Sequence, residues 1–404
     1  MGDKIRYTEH NGSNDLKREV YMSIYFDNGS TSFPKAPGVA EAVGGLIASG
    51  AFNINRGGYA GAYEVAGAVF ETRELLCRMF GFLGECKNAV FTPSVTYALN
   101  MILKGWLRPG DHVVTTSMEH NAVMRPLVQL AGTGVHFDAA QADERGVLDP
   151  EKIEALIRPE TRAVVMTAAS NVCGTLMPLR EVGEICARRG VRFIVDSAQA
   201  AGLFPLSMTE LHIDALTFTG HKSLLGPQGI GGMILRTDLA EEIEPLVSGG
   251  TGSMSDSEEV PPFLPDRFEP GTLNLPGIIG LHTALLFLQE TGIDTLRGHD
   301  LRLTARFLDG VRELPHTRVV GLPGVEGRAP IVSLDFGTLD NAEVAYTLDS
   351  RYGVMTRCGL HCAPRAHKSL GTFPQGTVRF AFGYGNTESE VDQCLDALKE
   401  ITRQ

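Results

Sequence analysis

Beyond Phe82 the chain alternates short apolar runs with stretches of helical spacing: "NAVFTPS", "YALNMILKGWL", "DHVVTTSMEH", "VMRPLVQLAG", "GVHFDAA", "PEKIEALIR", "TRAVVMTAAS", "LREVGEICARRG", "RFIVDSAQ" and "IDALTFTGHK". That rhythm is the signature of βαβ units. Runs such as "AVVM" and "FIVD" are apolar on both faces, as strands covered on both sides must be. The pattern predicts a large α/β domain over 34–258, built on a mostly parallel sheet. Upstream, "SIYFDNGSTSF" predicts a short strand ending in turn residues. "GVAEAVGGLIASGAF" and "AYEVAGAVFETRELLCRMFGF" carry helical periodicity, with the Gly/Asn loop "NINRGGYAG" between them.

Residues 248–277, rich in Gly, Ser and Pro, predict a long loop or linker. Loops of that length in compact proteins usually carry function or are disordered. Two helices follow, "IIGLHTALLFLQETG" and "HDLRLTARFLDGVREL", then strand and helix alternate again. This predicts a smaller α+β domain over 259–404, joined by the N-terminal segment 1–33. No internal repeat is visible.

Composition narrows the classes. The chain has 404 residues, 43% hydrophobic and 21% charged, with a net charge of −12. No basic face interleaved with aromatics is present, which argues against nucleic acid as a partner. The seven cysteines are scattered and odd in number. That does not fit a secreted disulfide framework and points to a reducing, cytoplasmic compartment. The N-terminus is polar, with no signal-peptide core. No apolar run reaches the ~20 residues that span a bilayer.

Candidate chemistry lies at strand ends. "TFTGHK" places Thr219, His221 and Lys222 after an apolar strand, where α/β proteins bind ligands. Alone, Lys222 reads as a surface lysine. Asp196 ends a second such strand in "FIVDSAQ", and His120 follows a third in "TTSMEH". Lysine, aspartate and histidine at three strand ends suit pyridoxal phosphate. The amine forms a Schiff base. The carboxylate keeps the pyridine nitrogen protonated, so the ring can act as an electron sink. A flat ring stacks on the pyridine face. The phosphate wants a helix N-terminus, which "TPSVTYALNMIL" supplies.

"DSAQ…TFTGHK", with "SMEHNA", "NVCGT" and "FEPGTLN", resembles the class V aminotransferase group of pyridoxal-phosphate enzymes. Within it the chain is similar to cysteine desulfurases. "RCGLHCAP" resembles the cysteine-bearing loop of the group II, SufS-like desulfurases and the related selenocysteine lyases. The likeness runs from about Tyr25 to the C-terminus. It implies the fold type I of pyridoxal-phosphate transferases, a large domain plus a smaller C-terminal one. Lys222 would carry the cofactor. His221, Thr219, Thr96 and the backbone at Val95 would hold its phosphate, with Thr272 reaching in from the partner subunit of a homodimer. Asp196 would pair with the pyridine nitrogen, Gln199 with the phenolic oxygen, and His120 would stack on the ring. Arg379 and Asn171 would bind the substrate carboxylate. Asn55 and Arg56 would line the entrance.

Two departures stand out. Val95 occupies a phosphate-loop position that often carries Thr or Ser. About two extra residues, within "HKSLGTFPQG", separate Cys362 from Arg379.

"RCGLHCAP" allows several readings by residue type. A metal clip would use Cys358, His361, Cys362 and His367, but the spacing is not a recognised ligand set and no second cluster completes it. A Cys358–Cys362 disulfide is out of place in the cytosol. Buried structural thiol suits Cys77, Cys186 and Cys394, which sit in apolar helical runs, and Cys173 reads as packing. The resemblance makes Cys362 the nucleophile, with His361 beside it to lower its pKa. Cys358 would be a spectator or a second sulfur acceptor.

The activity implied is conversion of L-cysteine to L-alanine, with the sulfur held as a persulfide on Cys362 and passed to an acceptor protein or small thiol. The alternatives are a selenocysteine lyase, another class V activity such as a C–S lyase, epimerase or aminotransferase, and a catalytically inert scaffold. The intact Lys, Asp, Gln and His set argues against the last.

Overall fold

The computed structural model describes residues 23–50, 53–54 and 57–403. A short strand, β1 (Ile24–Tyr25), leads to the helices α1 (Val39–Ser49) and α2 (Ala60–Met79). The α/β region follows: β2 (Ala89–Thr92), α3 (Val95–Trp106), β3 (His112–Thr116), α4 (Asn121–Ala131), β4 (His136–Ala140), α5 (Pro150–Leu156), β5 (Thr161–Thr167), α6 (Leu179–Arg189), β6 (Arg192–Asp196), β7 (Ala215–Thr219), β8 (Gly231–Leu235) and α7 (Thr237–Glu242). Its strands form one seven-stranded sheet in the order β2-β8-β7-β6-β5-β3-β4. The pairs from β7 to β4 are parallel, and β8 runs antiparallel to both its neighbours. β2, β3, β7 and β8 are buried at every position, covered on both faces.

The C-terminal part holds α8 (Leu275–Thr291), α9 (Ile293–Val311), β9 (Arg318–Val320), β10 (Ile331–Asp335), α10 (Asn341–Tyr352), β11 (Val354–Met355), β12 (Arg357–Gly359), α11 (Pro364–Ser369), β13 (Thr377–Ala381) and α12 (Glu388–Thr402). Four of these strands form an antiparallel sheet in the order β12-β13-β10-β9. β1 pairs with β11, so the N-terminal strand belongs to this sheet's side of the molecule. Ile24 and Phe26 sit in its hydrophobic cluster, with Phe307, Phe380 and Leu398.

α8 packs elsewhere. Its Leu275, Ile278, Leu281, Leu285 and Leu288 join the cluster that also holds residues of α1, α2 and the large sheet. The segment before α8 is a loop, as its Gly, Ser and Pro content predicts, but its second half is anchored. Leu264 and Phe268 are buried with α3 and the large sheet. Glu269 is buried and pairs with Arg73 of α2 through two hydrogen bonds of 2.8 and 2.6 Å, while also accepting from the Phe91 amide of β2. Glu269→Ala would strand a buried guanidinium. We expect it to lower unfolding stability by about 3–5 kcal/mol in denaturant titration; a loss below ~1 kcal/mol would show that the pair is not an anchor.

Candidate active site

Lys222 lies three residues beyond the end of β7, the site expected of a ligand-binding residue in a parallel sheet. Burial pushes its pKa down to about 8, opposed by the charge of Asp196 and helped by Arg379 and Arg357. The amine therefore deprotonates within reach of neutral pH, which a nucleophilic lysine needs.

Around it, two buried polar atoms have no partner: Thr219 Oγ1 and His221 Nδ1. Unsatisfied buried polar groups are rare and call for an explanation. Here they lie on the same strand end as Lys222, and an anionic ligand group would satisfy both. A helix N-terminus lies close by. Ser94 caps α3 by accepting from the Tyr97 amide at 3.3 Å. The approach is tight: a Cβ on Gly231 of β8 would come within 2.7 Å of Phe218 O and 3.1 Å of the Ser94 backbone. Val95 and Thr96 open the helix, Val95 buried and Thr96 exposed. His221 itself is neutral, with its pKa pushed down to about 4 by burial and then by Lys222 and Lys35.

Asp196 ends β6, buried, and accepts from the Ala198 amide at 3.0 Å. Burial raises its pKa, partly offset by that bond and by Lys222. A cationic ring nitrogen beside it would relieve that cost. Gln199 is buried and donates one N–H to Gly29 O at 2.9 Å, leaving the second for a ligand. His120 caps α4: its Nδ1 accepts from the Ala122 amide at 3.0 Å, which puts the ring proton on Nε2. Burial, then Lys222, pushes its pKa down to about 4, so it presents a neutral ring. This residue set fits pyridoxal phosphate.

Arg379 sits on β13, buried, its Nη2 donating to Asp27 and Ser30 and its Nη1 to the Asn171 carbonyl. Asn171 also reaches the cysteine loop, its side-chain amide donating to His361 O at 2.6 Å. The next carbonyl, of Cys362, accepts from the Asn121 amide at 2.7 Å. His361 and Cys362 both adopt left-handed backbone, φ 46° and 56°. Two such non-glycine residues in a row are strained and need surroundings that hold them. The bonds from Asn171 and Asn121 supply that hold, and the Cys362 thiol stands exposed. The stretch "HKSLGTFPQG" forms the end of α11 and a turn closed by Gly376 N to Thr372 O, and the buried His367 bonds Thr372 at 2.7 Å.

One expectation changes. His361 is buried against Thr377, and burial pushes its pKa down to about 2. A neutral imidazole supplies no positive charge beside Cys362. Cys358 packs against the small-domain cluster with its thiol pKa raised by burial, which suits a spectator. All seven cysteines are free thiols. Among the described residues no cluster of His, Cys, Asp and Glu is arranged to hold a metal.

Asn55 and Arg56 lie outside the described residues. Thr272 is exposed in the loop before α8 and lines a cleft with Thr92, Pro93 and Tyr97, a lining that does not include Thr219 or His221.

Sequence reasoning missed four neighbours. Asp27 and Ser30 hold Arg379. Lys35 donates to Thr31, Ser32 and the His221 carbonyl, fixing the peptide that leads into Lys222. Glu119 is buried, accepts from Thr116 and Thr167, and burial pushes its pKa up to about 8, so a neutral acid stands near Asp196. The polar run "DNGSTS" after a strand was the available signal for the first two.

The model of the aminotransferase class-V family matches residues 24–394. A probable cysteine desulfurase of Methanothermobacter thermautotrophicus is 32% identical over 395 residues, spanning 96% of this chain and 97% of that one. The apo structure of a cysteine desulfurase from Thermococcus onnurineus NA1 superimposes with a TM-score of 0.88 at 30% identity, covering 94% of this chain and 95% of the other. The Escherichia coli cysteine desulfurase CsdA, in an S-sulfonic acid form, gives 0.83 at 27% identity, with 94% of each chain covered. Strand-end lysine, aspartate and histidine, a fold shared with these structures and a family match over most of the chain agree: the protein belongs to the class-V aminotransferase family.

Proposed function

We propose that the protein is a pyridoxal-phosphate-dependent cysteine desulfurase, converting L-cysteine to L-alanine and taking the sulfur onto Cys362. The observation that carries this reading is the exposed Cys362 thiol on a strained turn, tied through Asn171 to Arg379. A lyase or aminotransferase needs no such thiol.

Lys222 would hold the cofactor, with Asp196 at its ring nitrogen, Gln199 at its phenolic oxygen, His120 on its face and Thr219, His221, Val95 and Thr96 about its phosphate. Bound there, the cofactor supplies an electron sink that makes the bonds around the substrate's Cα and Cβ labile. Arg379 orients the substrate through its carboxylate. The Lys222 amine, neutral above about pH 8, moves the Cα proton. The Cys362 thiolate forms an S–S bond with the substrate sulfur, and the electrons of the broken Cβ–S bond leave with the carbon fragment. Protonated, that fragment departs as alanine, and the persulfide passes to an acceptor thiol.

The division into domains that we propose keeps 34–258 as the cofactor-binding domain and adds α8 to it. The remainder, with residues 23–33, carries Arg379 and the cysteine loop. A second copy of the chain would bring Thr272 to the phosphate of a homodimer. No helix among the described residues is long and apolar enough to cross a membrane, and the free thiols support a cytoplasmic location.

The test is alanine formation from L-cysteine with a thiol reductant present. Alanine in step with released sulfide supports the reading, and transamination of a keto acid without sulfur release sinks it. Specificity constants for cysteine and selenocysteine separate the two substrates. The depressed Lys222 pKa adds a pH signature. Cofactor-free protein should take up pyridoxal phosphate faster as pH rises from 7 to 9, with a midpoint near 8. A rate flat over that range would mean that Lys222 titrates elsewhere.

A further inference from the structure

The N-terminal turn "DNGSTS" touches the proposed carboxylate site more closely than its sequence suggests. Arg379 is buried, and both hydrogens of its Nη2 are engaged. Nη2 lies 2.8 Å from Asp27 Oδ1 and 2.8 Å from Ser30 Oγ, and Nη1 lies 3.0 Å from the Asn171 carbonyl. Nε has no partner. Nη2 carries two hydrogens, and both are engaged. A carboxylate gripping an edge of the guanidinium that includes Nη2, in the bidentate manner arginine favours, would compete with Asp27 for that nitrogen. The segment is packed in place, since a Cβ on Gly29 would come within 3.2 Å of Arg379 Cζ.

Asp27 has a second cation at hand. Its Oδ2 lies 3.6 Å from Arg357 Nη1. Ser30 Oγ bridges the group: it donates to Asp27 Oδ1 at 2.7 Å and accepts from Arg357 and Arg379 at 2.8 Å each. Two guanidiniums share one carboxylate, which leaves one positive charge, the complement of a single carboxylate ligand.

We propose that Asp27 is a resident counter-ion of Arg379 which the substrate carboxylate displaces toward Arg357. The exchange trades one ion pair for another, so neither arginine is left unpaired. Asp27 then sets how tightly the site holds a carboxylate. Arg357 opens β12, the strand that runs into the Cys362 turn, so arrival of substrate alters the pairing of the element that carries the thiol. The proposal rests on the reading of Arg379 as the carboxylate-binding residue.

The probe is propionate, a carboxylate with no amine to react with the cofactor, titrated into the purified protein by calorimetry. Asp27→Asn keeps the hydrogen bonds and removes the competing charge, and should tighten propionate on the order of tenfold. Ser30→Ala removes one donor to Asp27 and frees an Nη2 hydrogen of Arg379, and should shift binding the same way by a smaller factor. Arg357→Gln leaves Asp27 with Arg379 alone and should weaken propionate severalfold, an effect that shrinks when Asp27→Asn is also present. Melting temperatures confirm that each variant is folded. Unchanged or weaker propionate binding in folded Asp27→Asn overturns the proposal, as does an Arg357→Gln effect of full size in the double variant. The parent reading fails separately, through propionate binding that survives Arg379→Gln or wild-type protein that makes no alanine from cysteine.

Discussion

Lys222→Ala is expected to yield a folded protein that no longer carries the cofactor covalently and forms alanine from L-cysteine at least 10²–10⁴-fold more slowly, the range of a lost proton-transfer group alone. Two roles end together: the covalent anchor and the base at Cα. The fold should survive. Burial pushes the Lys222 pKa down, so the folded state pays to keep its ammonium there, and truncation removes that cost. Part of the gain is offset at Asp196, which loses the cation that favours its charged form. Melting within a few degrees of wild type is the expected balance. Lys222→Arg is the informative companion. It keeps the charge but cannot deprotonate near neutral pH, so it should be as inactive as the alanine variant. Borohydride reduction followed by peptide mass analysis reads the anchor directly. Cofactor found on another lysine, or activity kept in Lys222→Arg, would remove Lys222 from the mechanism.

The parts legible in the sequence are those where one residue pattern has one physical meaning. The strands of the large sheet could be read because a strand covered on both faces carries apolar residues on both, as in the runs of β5 and β6. The placement of Lys222, Asp196 and His120 at or just beyond strand ends could be read because each lies where an apolar run gives way to polar residues. Long-range pairing was hidden. Nothing in "DNGSTS" says that Asp27 and Ser30 meet an arginine some 350 residues later. Glu269 lies in a loop-like segment, and only its partner Arg73 in α2 makes it an anchor. His361 misled because adjacency in sequence is not adjacency in function: its ring turns into the core while the next residue turns out. The spacing beyond Cys362 gave no conformation, and the structure folds that stretch into the end of α11 and a turn.

The held cysteine loop leads to the second large effect. Cys362→Ala should lose alanine formation on the order of 10²-fold or more, because the attacking sulfur is gone while the rest of the site is intact. Arg379 and Lys222 are untouched, so the variant should still bind L-cysteine and change the cofactor's absorbance, stopping before sulfur transfer. Cys362→Ser should behave alike, a hydroxyl being a poor acceptor for sulfur. Cys358→Ala should stay within about twofold of wild type, since Cys358 packs against the small-domain cluster. The backbone makes a sharper demand. Cys362 takes φ 56°, and its carbonyl is held by Asn121, so Cys362→Gly relieves strain without restoring chemistry. That variant should be at least as stable as wild type and as inactive as alanine. Mass spectrometry of wild type trapped after one turnover should find the added sulfur on the peptide with Cys362 and not on that of Cys173 or Cys86. A wild-type rate of alanine formation in Cys362→Ala would leave the exposed thiol without a role and mean that the sulfur passes from the substrate directly to the added thiol reductant.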